Sequence, residues 1–224
     1  MRIGIFVLAL IWNLVAQAQF FGNAYEWGWI HFGIVLGVNA QRYSIEPSLQ
    51  LRYDDSVKLV DTRTGPGLHI GILANVQFNK HLHLRFLPTV VLADHILYYE
   101  MWGDYTVKKR VQSTYAMAPL ILYLRSDIIN GVRYIALGGI NVTYDMLSNA
   151  EVRQAPGLVK VQPWDVALEY GVAIEFILNT FTLGIELKWH RGLRDIYVRE
   201  ANSPYTRVLE SLYNRGFYIS FHFE

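Results

Sequence analysis

The chain has 224 residues, 20 of them Lys or Arg and 19 Asp or Glu, for a formal charge of +1; no basic excess points to a nucleic-acid partner. It contains no cysteine, which excludes a disulfide framework and a thiolate metal site. Aromatic residues make up 14% and charged residues 17%, the latter below the quarter or so usual in soluble domains, so a chain of strands with this composition is either a soluble β-sandwich or a membrane β-barrel.

The N-terminus sets the compartment. Met1-Arg2 carries one positive charge, Ile3 to Val15 is apolar, and Ala16-Gln17-Ala18 matches the small-x-small cleavage pattern. Residues 1–18 are therefore expected to be a signal peptide cut before Gln19, with residues 19–224 forming the mature domain. The run is too short for a spanning helix. Cleavage takes one base, Arg2, from the 20 and no acid from the 19, leaving no net charge.

Alternation of apolar and polar residues, the mark of a strand with two unlike faces, then runs along the chain. After an aromatic lead-in to Gly28, Ile30, Phe32, Ile34, Leu36 and Val38 share one face. Ala40 to Pro66 reads as a long polar connection. Gly67 to Ala93 is the clearest hairpin: Leu68, Ile70, Ile72, Ala74 and Val76 alternate with mostly polar residues, Asn79-Lys80 forms a two-residue turn, and Leu82, Leu84 and Phe86 alternate with His81, His83 and Arg85. Its second strand runs on toward Tyr99. Glu100 to Arg110 reads as the next connection. Val111 to Arg125 is the fourth strand, and Pro119, which has no N–H for the ladder, predicts a bulge or break within it.

After a short turn ending at Gly131 comes Val132 to Asp145, then a long connection to Pro163. Val166 to Leu178 alternates most cleanly, with Val172, Ile174 and Phe176 opposite Asp165, Glu169 and Glu175. Asn179-Thr180 turns the chain into Phe181 to His190. A fourth long connection, Arg191 to Leu212, leads to the last strand, ending Phe221-His222-Phe223-Glu224. The sum is eight strands whose connections alternate long and short, the organisation of an up-and-down antiparallel outer-membrane barrel with short periplasmic turns, long extracellular loops and both termini periplasmic. The fold expected is all-β.

In such a barrel the apolar face meets lipid and the polar face fills the lumen. Eight strands leave room for side chains and little else, and bare charges there are costly. Arg85, Arg133, Asp165, Glu169, Glu175, Glu186 and Lys188 are therefore expected to form an ionic plug. Tyr98, Tyr99, Trp102, Tyr144, Trp164 and Trp189 suit interfacial girdles. Lys108, Lys109, Arg110, Arg191 and Arg194 fall near the outer rim, where they suit either lipopolysaccharide phosphates or solvent.

Other chemistry is weaker. His81 and His83 share a face, but no third ligand is indicated, so hydrogen bonding outweighs metal ligation. Glu186, Lys188 and His190 suit charge-balanced filling better than acid–base catalysis. There is no Gly-x-Ser-x-Gly elbow, and Gly37, Gly71, Gly171 and Gly184 read as small residues in a crowded lumen rather than a phosphate loop. No catalytic residue, metal or cofactor is expected.

The segments GLHIGILANVQFNKHLHLRFLPTVVLADHILYYE, STYAMAPLILYLRS, RYIALGGINVTYD and DVALEYGVAIEF resemble the PorT (SprT) family of outer-membrane barrels of Bacteroidota. The likeness runs from Gly67 to Phe176; its most specific parts are Ser113-Thr114-Tyr115 to Pro119-Leu120 and Gly138-Gly139-x-Asn141. It implies a non-enzymatic component required by the type IX protein secretion system, and by gliding motility where present, with other outer-membrane secretion proteins as partners. It carries over no catalytic residue. The alternatives are a lipid A-modifying barrel enzyme, for which His95 is the histidine placed toward the outer rim, and a diffusion pore, which the strand number disfavours.

Overall fold

Alternation becomes architecture in the computed structural model, which describes residues 29–47, 57–102, 105–148, 160–198 and 209–224. The expected signal peptide, residues 1–18, and the aromatic lead-in lie outside the described residues. Among the described residues nine strands form one antiparallel sheet: β1 (Ile30–Pro47), β2 (Val57–Gln77), β3 (Leu82–Phe86), β4 (Thr89–Met101), β5 (Thr106–Arg125), β6 (Val132–Asp145), β7 (Trp164–Ile177), β8 (Thr182–Gly192) and β9 (Leu209–Phe223). β1 pairs with both β2 and β9, so the sheet closes on itself. β3 and β4 occupy one position between β2 and β5, and the ring therefore has eight staves. No helix among the described residues is long and apolar enough to cross a membrane; crossing falls to the strands.

The stave shared by β3 and β4 is where the expected break sits. Pro119 causes none in its own strand: β5 keeps register with β6 through Pro119↔Asn141. The interruption is across the ladder at Leu87-Pro88, yet register with β5 is the same on both sides, Phe86↔Leu120 and Thr89↔Met117. The Leu87 N–H donates to the Pro119 carbonyl at 3.1 Å. Pro119 has no N–H to return; instead the Thr89 hydroxyl donates to the Leu87 carbonyl at 2.7 Å. A side chain supplies the donor that proline lacks, so the Leu87 carbonyl is not left unpaired.

The short turns have local causes. The Asn79 side chain accepts the N–H groups of His81 and Leu82, each at 2.8 Å, an Asx-type turn. Ile129 and Val132 exchange both backbone bonds around Asn130 and Gly131, whose φ values are 52° and 78°. That is the mirror-image turn which matches strand twist and favours Asn-Gly. At the same end the chain terminus is fastened: Thr182 and Glu224 exchange backbone bonds at 2.8 and 3.1 Å.

The strands run further than the alternation indicated. β1 reaches Pro47 and β2 begins at Val57, inside the expected connection Ala40 to Pro66. Lys108, Lys109 and Arg110 lie within β5 and Arg191 within β8, not in loops. β2 has 21 residues and β5 has 20, whereas about 9–11 tilted residues cross hydrocarbon. The long-connection end of the wall therefore projects beyond the apolar belt.

That belt is inside out relative to a soluble protein. On β7, Val172 and Ile174 are 51% and 38% exposed, whereas Glu169 and Glu175 are 1% and 2% exposed. The same inversion recurs around the ring, with Phe32 and Leu36 on β1, Ile70 on β2, Leu92 on β4, Leu122 on β5, Ile140 on β6 and Phe221 on β9 all exposed. Soluble monomers rarely expose a contiguous apolar patch above a few hundred Å², and a band encircling the molecule is a lipid-facing surface. Backbone groups need no water there, because a closed ring has no edge. Val172→Arg, at the middle of the belt, is expected to destabilise the protein folded in lipid vesicles by about 2–4 kcal/mol, read from the urea unfolding midpoint; a loss under about 0.5 kcal/mol, usual for a water-facing site, would contradict the lipid assignment.

Candidate functional site

The lumen gathers polar side chains from every stave, because each strand's second face has nowhere else to go. Near the short-turn end, Arg85 of β3, Arg125 of β5 and Arg133 of β6 converge on Glu175 of β7 at 3.5, 2.8 and 3.4 Å. Arg85 also pairs with Glu224, the last residue, and Arg125 lies 3.9 Å from it. The Arg85 guanidinium donates to His222 Nδ1 at 2.7 Å. Since arginine only donates, that nitrogen is the acceptor, which turns Nε2 toward Glu186, 3.7 Å away.

A second cluster lies further along the lumen. Lys188 of β8 stands between Glu169 at 2.9 Å and Glu186 at 3.5 Å. Asn141 Nδ2 donates to Glu169 at 2.7 Å, and His190 Nδ1 lies 3.0 Å from the same oxygen. The Tyr123 hydroxyl donates to Glu186. Tyr123 also joins the two clusters, because the Arg85 guanidinium sits 4.2 Å from its ring centroid, a cation–π contact. Lys188, Glu169, Glu186 and Arg85 are each no more than 4% exposed. Charges so buried persist only when paired and hydrogen-bonded.

Beyond these clusters the lumen is capped by side chains of the opposite character. Tyr43, Leu97, Tyr99, Val111, Ile196 and Leu212 form an apolar cluster toward the long connections. His95 belongs here: it stacks on Tyr43 with centroids 3.9 Å apart and bonds the Tyr115 hydroxyl at 2.9 Å. It is fully buried inside the ring, not at a lipid-facing rim. Tyr99 is likewise buried, whereas Tyr98, Trp102, Tyr144, Trp164 and Trp189 are partly or well exposed. Tyr99 thus belongs to the cap and not to a girdle; adjacent residues of a strand face opposite sides.

Of the seven expected plug residues, Arg85, Arg133 and Glu175 share the first cluster, and Glu169, Glu186 and Lys188 the second. Asp165 stands apart. It is buried, close to Gly192, and takes part in no ion pair among the described residues. Arg125, His222, Glu224, Tyr123 and Asn141 complete the network without having been singled out. Their signal was parity: Arg125 alternates in step with Tyr123, and Glu224 with His222. His81 and His83 do not converge on a metal: His81 Nδ1 lies 2.9 Å from the Arg125 carbonyl oxygen and His83 Nδ1 lies 3.3 Å from Asn75 Nδ2. Gly37 is a packing glycine, since a Cβ there would come within 2.6 Å of the His69 ring.

The rim cations scatter. Arg110 pairs with Asp94, and Lys108 faces the Tyr98 ring at 5.9 Å. Lys109 turns partly inward, Arg191 points outward, and Arg194 donates to Gln162 at 2.7 Å.

No protein-family model matches the sequence, and no curated protein does. Among solved structures the chain is similar to Neisserial surface protein A, at 12% identity over 86% of this chain and 97% of that chain, with a TM-score of 0.39.

Removing Lys188 strands two buried carboxylates. Lys188→Met is expected to cost about 3–5 kcal/mol of stability in detergent. The double variant Lys188→Met/Glu169→Gln should lose less than the single one, because one stranded charge is gone; additive losses would show that the two groups do not interact.

Proposed function

We propose that the chain is an outer-membrane scaffold barrel, non-enzymatic, with both termini periplasmic, that serves assembly or operation of the type IX protein secretion system. The observation that carries this reading is a lumen filled from end to end: paired charges at one end, an apolar cap at the other. A barrel so filled leaves little room for a diffusing solute. What it offers to others is its outer wall, its rim and its projecting strands. The secretion assignment itself rests on the likeness of the segments between Gly67 and Phe176 to the PorT family, and its partners are then other outer-membrane secretion proteins together with membrane lipid and lipopolysaccharide.

The lipid A-modifying reading needs a histidine presented to lipid near the outer rim. The only rim histidine the sequence offered for that role, His95, is stacked inside the cap. No observation favours that reading over a scaffold.

Deleting the gene is expected to leave type IX cargo in the periplasm and, in a gliding species, to abolish spreading; normal export in the deletion strain contradicts the assignment. The purified protein is expected to show no stepwise conductance in planar bilayers.

A further inference from the structure

We infer that three arginines in a row on the outer wall, Arg42, Arg215 and Arg191, bind the phosphate of a lipid headgroup in the leaflet at the long-connection end. This rests on the belt beneath them facing lipid. Arg215 of β9 stands directly opposite Arg42 of β1 on one side and Arg191 of β8 on the other, and all three are exposed on the outer face. Neighbouring strands lie about 4.8 Å apart, so the three side chains rise from a span of roughly 10 Å.

Like charges directly opposite on adjacent strands repel, and sheets ordinarily answer such a row with acids. Here the acids of the neighbouring strand ends form no ion pair with the row among the described residues, although Asp61 lines the same recess as Arg42. Glu46 accepts from the Ser211 hydroxyl at 2.9 Å, Asp61 from the Thr62 N–H at 2.8 Å, and Asp195 from the N–H groups of Tyr197 and Leu212 at 3.1 and 2.9 Å. Several other cations of the rim are answered from within the chain: Arg110 by Asp94, Arg194 by Gln162, and Arg63 and Lys108 by the Tyr98 ring at 5.0 and 5.9 Å. None of the three arginines has an ion-pair partner among the described residues.

Their depth selects the occupant. Two residues nearer the belt on the same face, Trp189 and Phe217 stand opposite one another with centroids 5.2 Å apart, and Tyr170 stacks on Trp189 at 6.1 Å. Tryptophan and tyrosine settle at headgroup level, so the guanidinia lie where a lipid's phosphate is found. A phosphate monoester presents several acceptor oxygens, and guanidinium forks match them bidentately. Its negative charge also relieves the repulsion within the row.

The test uses the full mature chain refolded in maltoside micelles, with heat-modifiable migration confirming the barrel in every variant, titrated with lipid A, with lipid A stripped of its phosphates, and with inorganic phosphate alone. Wild type is expected to bind lipid A at least about tenfold more tightly than either the stripped lipid or inorganic phosphate. Arg42→Gln/Arg191→Gln/Arg215→Gln should lose that preference while Lys108→Gln/Arg110→Gln keeps it. Equal binding by wild type and the triple variant, or equal binding of the two lipids, overturns the site and leaves the barrel standing. Inorganic phosphate binding as tightly as lipid A overturns the lipid source. A wild-type chain that forms no heat-modifiable barrel removes the lipid-facing belt, and the site with it.

Discussion

Closure of the ring between β1 and β9 is the constraint on which the rest depends. An open sheet would present a row of unpaired N–H and C=O groups to hydrocarbon, each costing several kcal/mol or so. Pairing from Ile34↔Phe223 to Pro47↔Leu209 removes that edge. Only then can the apolar face be turned outward. The detail at Pro119 shows how strictly the requirement is met: the one donor the strand cannot provide is replaced by a threonine hydroxyl on the facing stave.

Turning the apolar face outward forces the polar face inward, where it must satisfy itself. With eight staves there is little room for bulk water, so most of the buried charges take a partner at fixed distance, Asp165 being an exception. Lys188 between two carboxylates, and Glu175 among three guanidinia, are solutions of that kind. Such networks are poor sources of net stability, because desolvation offsets most of the attraction. They do specify register. A one-residue slip of any stave would put its charges into lipid, so the network penalises every misregistered ring far more than it favours the native one.

The eight staves were legible because lipid outside and charge inside give maximal contrast between alternate residues, as along Val166 to Leu178. Legibility failed where that contrast fades. Past the belt the outer face meets polar surroundings and carries charge, which reads as loop, so the continuations through Arg42, Asp61 and Lys108 were missed although Tyr43, Val60 and Val107 beside them face the apolar cap. In the cap the lumen itself turns apolar, and inward His95 and Tyr99 became indistinguishable from outward Ile96 and Tyr98 by hydropathy, although parity alone separates them. Asp165 had the right face but the wrong level: alternation gives inside or outside, not height, and the ion pairs lie closer to the short turns. The arginine row was invisible for a related reason. Arg42, Arg191 and Arg215 are far apart in sequence, and only the register between strands sets them side by side.

The chain's lack of cysteine makes the inside-out wall directly measurable. Single cysteines placed in turn from Leu168→Cys to Glu175→Cys along β7, labelled with a fluorophore and reconstituted with doxyl-labelled lipid, report lipid contact position by position. Quenching should be strong at 168, 170, 172 and 174 and weak at 169, 171, 173 and 175, the period-two pattern of a strand between lipid and a packed lumen. Quenching that is uniform, absent or of opposite phase would contradict a lipid-facing belt.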